Sequence, residues 1–220
     1  MTNTTDYQLV RSKRRSLAIE IKPSGEVLVR APNALPQADI DAFIKQKSAW
    51  IEDKQSKAQQ YLKANPSYQD GELMLYLGET YPIKYTAGDQ AQVVFDGQRF
   101  TVSGDASFAF KQFYKQQFEK VALPRLDYYA QKYQLPYRQV RLKAQKTRWG
   151  SCGANNDINL NYLLAMAPIS VIDYVLIHEL CHTRIKNHSK DFWQLVASIA
   201  PDYQQAQTWL KQHGYQLQSL

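Results

Sequence analysis

Cysteine is scarce in this chain. Cys152 and Cys181 are the only two among 220 residues. Two thiols cannot build a disulfide framework, and without a Cys-x-x-Cys pair a cysteine-based zinc knuckle is excluded. Long apolar runs are missing too. None reaches the roughly 20 residues of a membrane helix, and the nearest, Leu160 to Ile177, is broken by Asn161, Pro168 and Asp173. The first twenty residues, MTNTTDYQLVRSKRRSLAIE, hold no apolar core of a secretory signal. The expectation is a soluble, cytoplasmic protein with no membrane partner. A Walker-type glycine loop for phosphate is also absent.

What is present begins with charge. The net charge is +7. Residues 111–148 hold ten Lys and Arg against Glu119 and Asp127, a local +8, so the rest of the chain sums to about −1. Such a stretch is either a solvated basic face or a surface that attracts an anionic partner.

Patterning predicts an α+β protein: a β-rich N-terminal region with a helix, residues 1–105, and a region of strands and helices, residues 106–220, that can form one continuous domain with it. Ser16 to Arg30 alternates around Pro23-Ser24-Gly25, with Leu17, Ile19 and Ile21 before the turn and Val27 and Val29 after it, which predicts a hairpin. Pro36 to Lys63 reads as one helix, with Ile40, Phe43, Ile44, Lys47, Trp50 and Ile51 at helical spacing and Asn65-Pro66 as its stop. Residues 70–104 read as short strands divided by glycine-containing turns. Phe108 to Tyr133 reads as a long helix, kinked or split at Pro124, with Phe113, Gln117, Val121, Leu123 and Leu126 near one side. Tyr137 to Thr147 alternates as a half-buried strand, with Val140, Leu142 and Ala144 on one face, and with Ile158 to Leu163 it predicts an antiparallel hairpin. Ser170 and Asp173 suggest a capped helix start. Further helices are expected over Ser189–Ala200 and Tyr203–Gln212, the last closed by Gly214.

The chemistry concentrates in residues 178–182, His-Glu-Leu-Cys-His. Positions four apart on a helix share a face, so His178 and His182 can offer imidazole nitrogens to one ion. Catalytic zinc usually has three protein ligands plus water. Glu179 is placed to act on that water as general base rather than to coordinate. His188, six residues beyond His182, completes histidines at positions one, five and eleven, the spacing of the long zincin motif. That motif normally has glycine where this chain has Ile185. Three of the four histidines fall within these eleven residues, and the fourth, His213, reads as surface. Zinc is the expected cofactor, and another divalent transition metal also suits three imidazoles.

Arg148-Trp149-Gly150-Ser151-Cys152, then Tyr174-Val175-Leu176-Ile177 leading into the histidine motif, then Asn187-His188-Ser189 and Phe192-Trp193 resemble the YgjP-like family of zinc metallopeptidases, relatives of the SprT-like and WLM-type zinc peptidases. The resemblance implies a zincin-like core of antiparallel strands and an active-site helix. It also implies His178, His182 and His188 as ligands, Glu179 as the catalytic residue and a peptide or protein substrate. Arg148 and Ser151 are the candidate substrate contacts: the segment either lines the site or is a tight turn with Trp149 in the core. Cys152 as a fourth ligand would close the open position that catalysis needs.

Two rival functions share these residues. The metal site beside a basic stretch and Arg148 also suits hydrolysis of a phosphoanhydride such as a nucleoside triphosphate. A non-catalytic zinc module binding nucleic acid through residues 111–148 is the third reading; a structural zinc would need a fourth protein ligand.

Overall fold

The computed structural model describes residues 6–22, 24–64 and 66–220, with the side chains of residues 57 and 60–64 outside the description. Pro23 of the expected turn and Asn65 of the expected helix stop lie outside the described residues. The chain divides at residues 65/66 into two compact units.

In the first unit, strands β2 (Ala18–Ile21) and β3 (Val27–Pro32) form the expected hairpin, with Ile19 opposite Val29. A strand that the sequence pattern did not mark, β1 (Tyr7–Ser12), runs parallel along the other edge of β3. Its side chains are mostly exposed, so it carries little of the apolar alternation by which a strand is read. Val27, Val29 and Ala31 form a core with Ile40, Ile44 and Ile51. The expected single helix is two, α1 (Gln37–Gln46) and α2 (Ser48–Ala64), divided at Lys47 with φ −97° and ψ 7°. Lys47 N donates to both Phe43 O and Ile44 O at 3.0 Å, a tightened last turn that keeps Ile51 in phase with Ile40 and Ile44.

The second unit opens with four short strands, β4 (Leu73–Tyr76), β5 (Glu79–Tyr85), β6 (Gln92–Phe95) and β7 (Phe100–Ser103), in the order β4-β5-β7-β6. Helix α3 (Ala106–Lys132) follows, with the Asp105 side chain accepting from Phe108 N. Pro124 lies inside it without splitting it. The proline forfeits one backbone hydrogen bond. The packed face runs on either side of it, through Phe110, Phe113, Tyr114, Phe118, Ala122 and Leu126. Gln117, Val121 and Leu123, expected on that face, are only partly buried. Tyr114 reaches across and donates to Leu75 O at 2.6 Å.

The second sheet corrects the expected hairpin. Strand β10 (Asp157–Asn161) is central, parallel to β8 (Gln139–Lys143) and antiparallel to β9 (Gly150–Cys152). The hairpin partner is thus the short glycine-containing strand, and the longer alternating one returns parallel on the other side. Ala144 falls beyond the end of β8 and is exposed.

A 3-10 turn, Tyr162–Met166, leads into α4 (Ile169–Arg184), followed by α5 (Lys190–Ile199) and α6 (Tyr203–Gln218). The start of α4 is fixed by the turn between β4 and β5: Leu77 N and Gly78 N donate to Ala165 O and Met166 O at 2.9 and 3.0 Å. Gly78 has φ +93°, and a Cβ there would come within 2.7 Å of Pro168. The expected Ser170 cap does not form. Pro168 occupies the N-cap without a side-chain bond, and Asp173 instead takes a two-pronged ion pair from Arg125 of α3, both contacts 2.6 Å. Ser189 does cap α5, accepting from Phe192 N. Helix α6 continues through Gly214, the expected stop, because that glycine lies against Trp149, where a Cβ would come within 2.8 Å of the indole. Among the described residues no helix is long and apolar enough to cross a membrane.

Candidate metal centre

Helix α4 is apolar on most of its circumference. Ile172, Leu176, Leu180 and Cys181 are fully buried, and this packing holds the remaining face, with Tyr174, Val175, His178, Glu179 and His182, in a fixed orientation. The helix ends at Arg184. Ile185 follows with φ −125° and ψ 107°, an extended conformation that suits a β-branched residue. Ile185 thus serves where the long zincin motif has glycine, because the turn needs no positive φ. Asn187, the expected helix terminator, instead accepts from Ser189 N at 3.3 Å.

The turn brings His188 back onto α4. His188 Nε2 lies 3.1 Å from Nε2 of both His178 and His182, and the ligand atoms of all three lie within 4.8 Å of one another. Two donors bound to one tetrahedral ion at about 2.0–2.1 Å stand about 3.3 Å apart, so the observed spacing fits a shared ion. The tautomer fits as well. His182 Nδ1 is 2.9 Å from Ile185 O; a carbonyl can only accept, so Nδ1 carries the proton and Nε2 presents its lone pair to the centre. Burial, then the neighbouring histidines, pushes the His178 pKa down to about 3, and burial also lowers that of His182. Both rings are therefore neutral at physiological pH, the state that a metal requires. Three imidazole nitrogens this close form a site that a shared cation would hold together.

Helix α5 backs this cluster with aromatic rings. Phe192 stacks on His182 with ring centroids 4.3 Å apart, and Trp193 stacks on His188 at 5.7 Å. The loop from α4 to α5 is tied to the β9–β10 turn by Lys186, whose Nζ donates to Gly153 O at 2.8 Å and to Asn156 Oδ1 at 2.5 Å. Cys152 lies at the edge of that contact, its sulfur 3.7 Å from Lys186 Nζ, and is not one of the three grouped ligand residues.

Glu179 is only 4% exposed, and its Oε2 has no hydrogen-bond partner. Burial raises its pKa to about 8, opposed by the positive charge of Arg148. An orphaned, buried carboxylate oxygen beside a cluster of imidazoles is costly unless it serves a ligand or reactant. Its neighbour is Gly150 of β9. A Cβ on Gly150 would lie 2.5 Å from Glu179 Oε1 and 2.6 Å from its Cγ. The glycine of the Arg-Trp-Gly-Ser-Cys segment is thus where the strand backbone closes on the carboxylate.

The two candidate substrate contacts diverge. Arg148 is exposed and near enough to influence Glu179. Ser151 is paired across the sheet with Asn159 and accepts from its Nδ2 at 3.1 Å; side chains alternate along a strand, so it faces away from the side on which Gly150 meets Glu179. Of the ten basic residues in 111–148, Arg125 and Arg138 are answered by Asp173 and Asp157, acids from outside the stretch.

The site extends beyond the ligands and Glu179, and of its further residues Gln207 and Leu210 carried no motif. A cleft of about 300 Å³ opens beside His178 and Glu179, walled by Trp149, Tyr174, Val175, Gln207 and Leu210. Tyr174 is one helical turn before His178, and its hydroxyl lies 3.4 Å from His178 Nδ1 while accepting from Gln207 Nε2 at 3.0 Å. That spacing was readable; the arrival of Gln207 and Leu210 from α6 was not. Asn161, fully buried, holds the loop that leads to Trp149. Its Nδ2 donates to Gln145 O at 2.8 Å and Arg148 O at 3.2 Å, and its N to Trp149 O at 2.8 Å.

No curated protein matches the chain. Residues 15–213 match the family model described as YgjP-like, metallopeptidase domain. That match takes in both the β2–β3 hairpin of the first unit and the histidine cluster, and the chain belongs to the YgjP-like family, a metallopeptidase domain that implies a metal.

Proposed function

We propose that the protein is a zinc-dependent peptidase in which His178, His182 and His188 hold the ion and Glu179 is the general base. The observation that carries the reading is the convergence of three imidazole nitrogens, 3.1 Å apart at two edges, next to a buried carboxyl group with an unpartnered oxygen. Zinc bound there would polarise the scissile carbonyl and acidify the attacking water. Glu179 takes the proton from that water and delivers it to the departing amine, so that one carboxylate serves both directions of transfer. Its burial favours the neutral form and so strengthens it as a proton acceptor. Gly150 leaves the carboxylate room, Arg148 supplies a positive charge beside it, and the aromatic backing from α5 keeps the ligand rings from rotating.

The test is turnover of unfolded protein substrates beside nucleoside triphosphates, with zinc, comparing the wild type with Glu179→Gln. The expected result is peptide cleavage that the variant loses while it still binds zinc. Phosphate release lost in the variant would move the site to phosphoanhydride chemistry. A Glu179→Gln protein with full activity would end the assignment of the base.

A further inference from the structure

The cleft beside the centre has a chemistry of its own. Its walls come from three elements: Trp149 at the entry to β9, Tyr174 and Val175 on α4, and Gln207 and Leu210 on α6. The indole, the phenol ring, the isopropyl and the isobutyl group make it mainly apolar. Gln207 and Tyr174 satisfy each other, Gln207 Nε2 donating to the Tyr174 hydroxyl at 3.0 Å. The acidic side chain among its walls is Glu179, at the end shared with the metal centre. About 300 Å³ is at the small end of the roughly 300–1,000 Å³ typical of ligand sites, room for one side chain rather than a folded segment. The Trp149 wall is backed by Gly214, whose missing Cβ would stand 2.8 Å from the ring, so the indole has no space to retreat.

His178 and Glu179 belong to the cleft and to the centre at once. A peptide whose scissile carbonyl lies at the centre therefore presents the side chain of an adjacent residue to the cleft. An acidic side chain entering it would shed its water and meet no positive charge, and a basic one would find a counter-charge only in Glu179, at the end shared with the metal centre; an aliphatic or aromatic one would bury apolar surface against Trp149, Val175 and Leu210. We propose that this cleft is a specificity pocket for a large apolar side chain, of the Leu, Phe or Met class, on a residue flanking the scissile bond, with Leu210 and Val175 setting its depth. The inference rests on the peptidase reading.

The experiment is digestion of a synthetic peptide library, randomised over eight positions, by the zinc-loaded protein, with the cut sites read by mass spectrometry. One flanking position should favour Leu, Phe or Met over Asp, Glu and Lys by roughly tenfold or more. Leu210→Asp should abolish that preference among the peptides that are still cut. Should Leu210→Asp not fold, as judged by circular dichroism, Leu210→Ala decides, because deepening the pocket should shift the choice from Leu toward Phe and Trp. A second readout needs no turnover: Glu179→Gln should bind the preferred peptide with a change in tryptophan emission, and bind its Asp-substituted counterpart at least about tenfold more weakly. Cutting without an apolar preference at either flanking position, or a preference untouched by the Leu210 variants, overturns the pocket and leaves the peptidase reading standing. No cutting of any peptide by folded, zinc-loaded protein overturns both.

Discussion

Gly150 presents its bare Cα to the side chain of Glu179, so closely that a methyl group would sit 2.5 Å from Oε1. The contact joins the strand hairpin to the helix that bears the histidines, and it decides where the carboxylate stands. Gly150→Ala is expected to lower turnover by about 10- to 100-fold, because a general base displaced by about an ångström loses its alignment. The histidines are untouched, so zinc affinity, followed by competition with a coloured chelator, should stay within about twofold. Full activity in Gly150→Ala would show that Glu179 has freedom the packing does not suggest.

Metal removal should read out as stability. A ligand that binds only the folded state at a hundred times its Kd adds about 2.7 kcal/mol, worth about 5–10 °C in melting temperature for a chain of this size. Adding zinc to chelator-treated protein is expected to produce a shift of that order. His182→Ala should erase it, since this ring combines a tautomer fixed by Ile185 O at 2.9 Å with stacking on Phe192 at 4.3 Å. The absence of any zinc-dependent shift in the wild type would remove the metal from the account.

Much of this site was legible because its signals are local. His178 and His182 meet through helix periodicity alone, and His188 needs only one turn to reach them. Periodicity likewise yields the β2–β3 hairpin, α5 and the apolar face of α4. The failures share a cause, which is partnership between distant residues. Asp173 resembled part of a capping box but is claimed by Arg125, 48 residues earlier. Gly214 resembled a helix stop, yet the helix runs on because its bare face receives Trp149. Strand β8 and strand β10 are parallel, a relation that requires the chain to cross over, whereas alternation suggested only that both are strands. Gln207 and Leu210 reach the cleft from α6, and nothing in their neighbours on the chain distinguishes them from ordinary helix surface and core.

Asn161 is a further case in which position outweighs motif. It is wholly buried, its side-chain amide donates to two carbonyls of the 145–148 loop and its Oδ1 accepts from Leu163 N at 3.2 Å. Asn161→Ala would leave those three backbone groups without partners inside the protein, a loss of about 2–4 kcal/mol by the usual cost of unsatisfied buried groups. Urea denaturation should show the midpoint falling. Because this loop delivers Trp149 and Gly150, residual folded protein should also show weakened turnover. A variant with an unchanged midpoint would mean that the loop finds other partners.

Arg138 and Asp157 set a pH dependence that can be tested apart from the metal centre. The pair joins the start of β8 to the start of β10, with contacts of 2.6 and 2.5 Å. The hydrogen bonds from Arg138 are the largest influence on Asp157 and draw its pKa down to about 2, against about 3.9 for an unfolded Asp. The folded state then holds fewer protons than the unfolded state between these values, so stability rises with pH across that interval. The contribution is present in full above about pH 5 and is lost as pH falls toward 2. In Asp157→Asn this titration is gone while other carboxylates remain, so its urea midpoint should fall less between pH 5 and pH 2.5 than that of the wild type. Arg138→Gln should flatten the same interval, because Asp157 would titrate near its unfolded value. Equal falls in all three proteins would assign acid sensitivity to other carboxylates and leave this pair as a surface contact without thermodynamic weight.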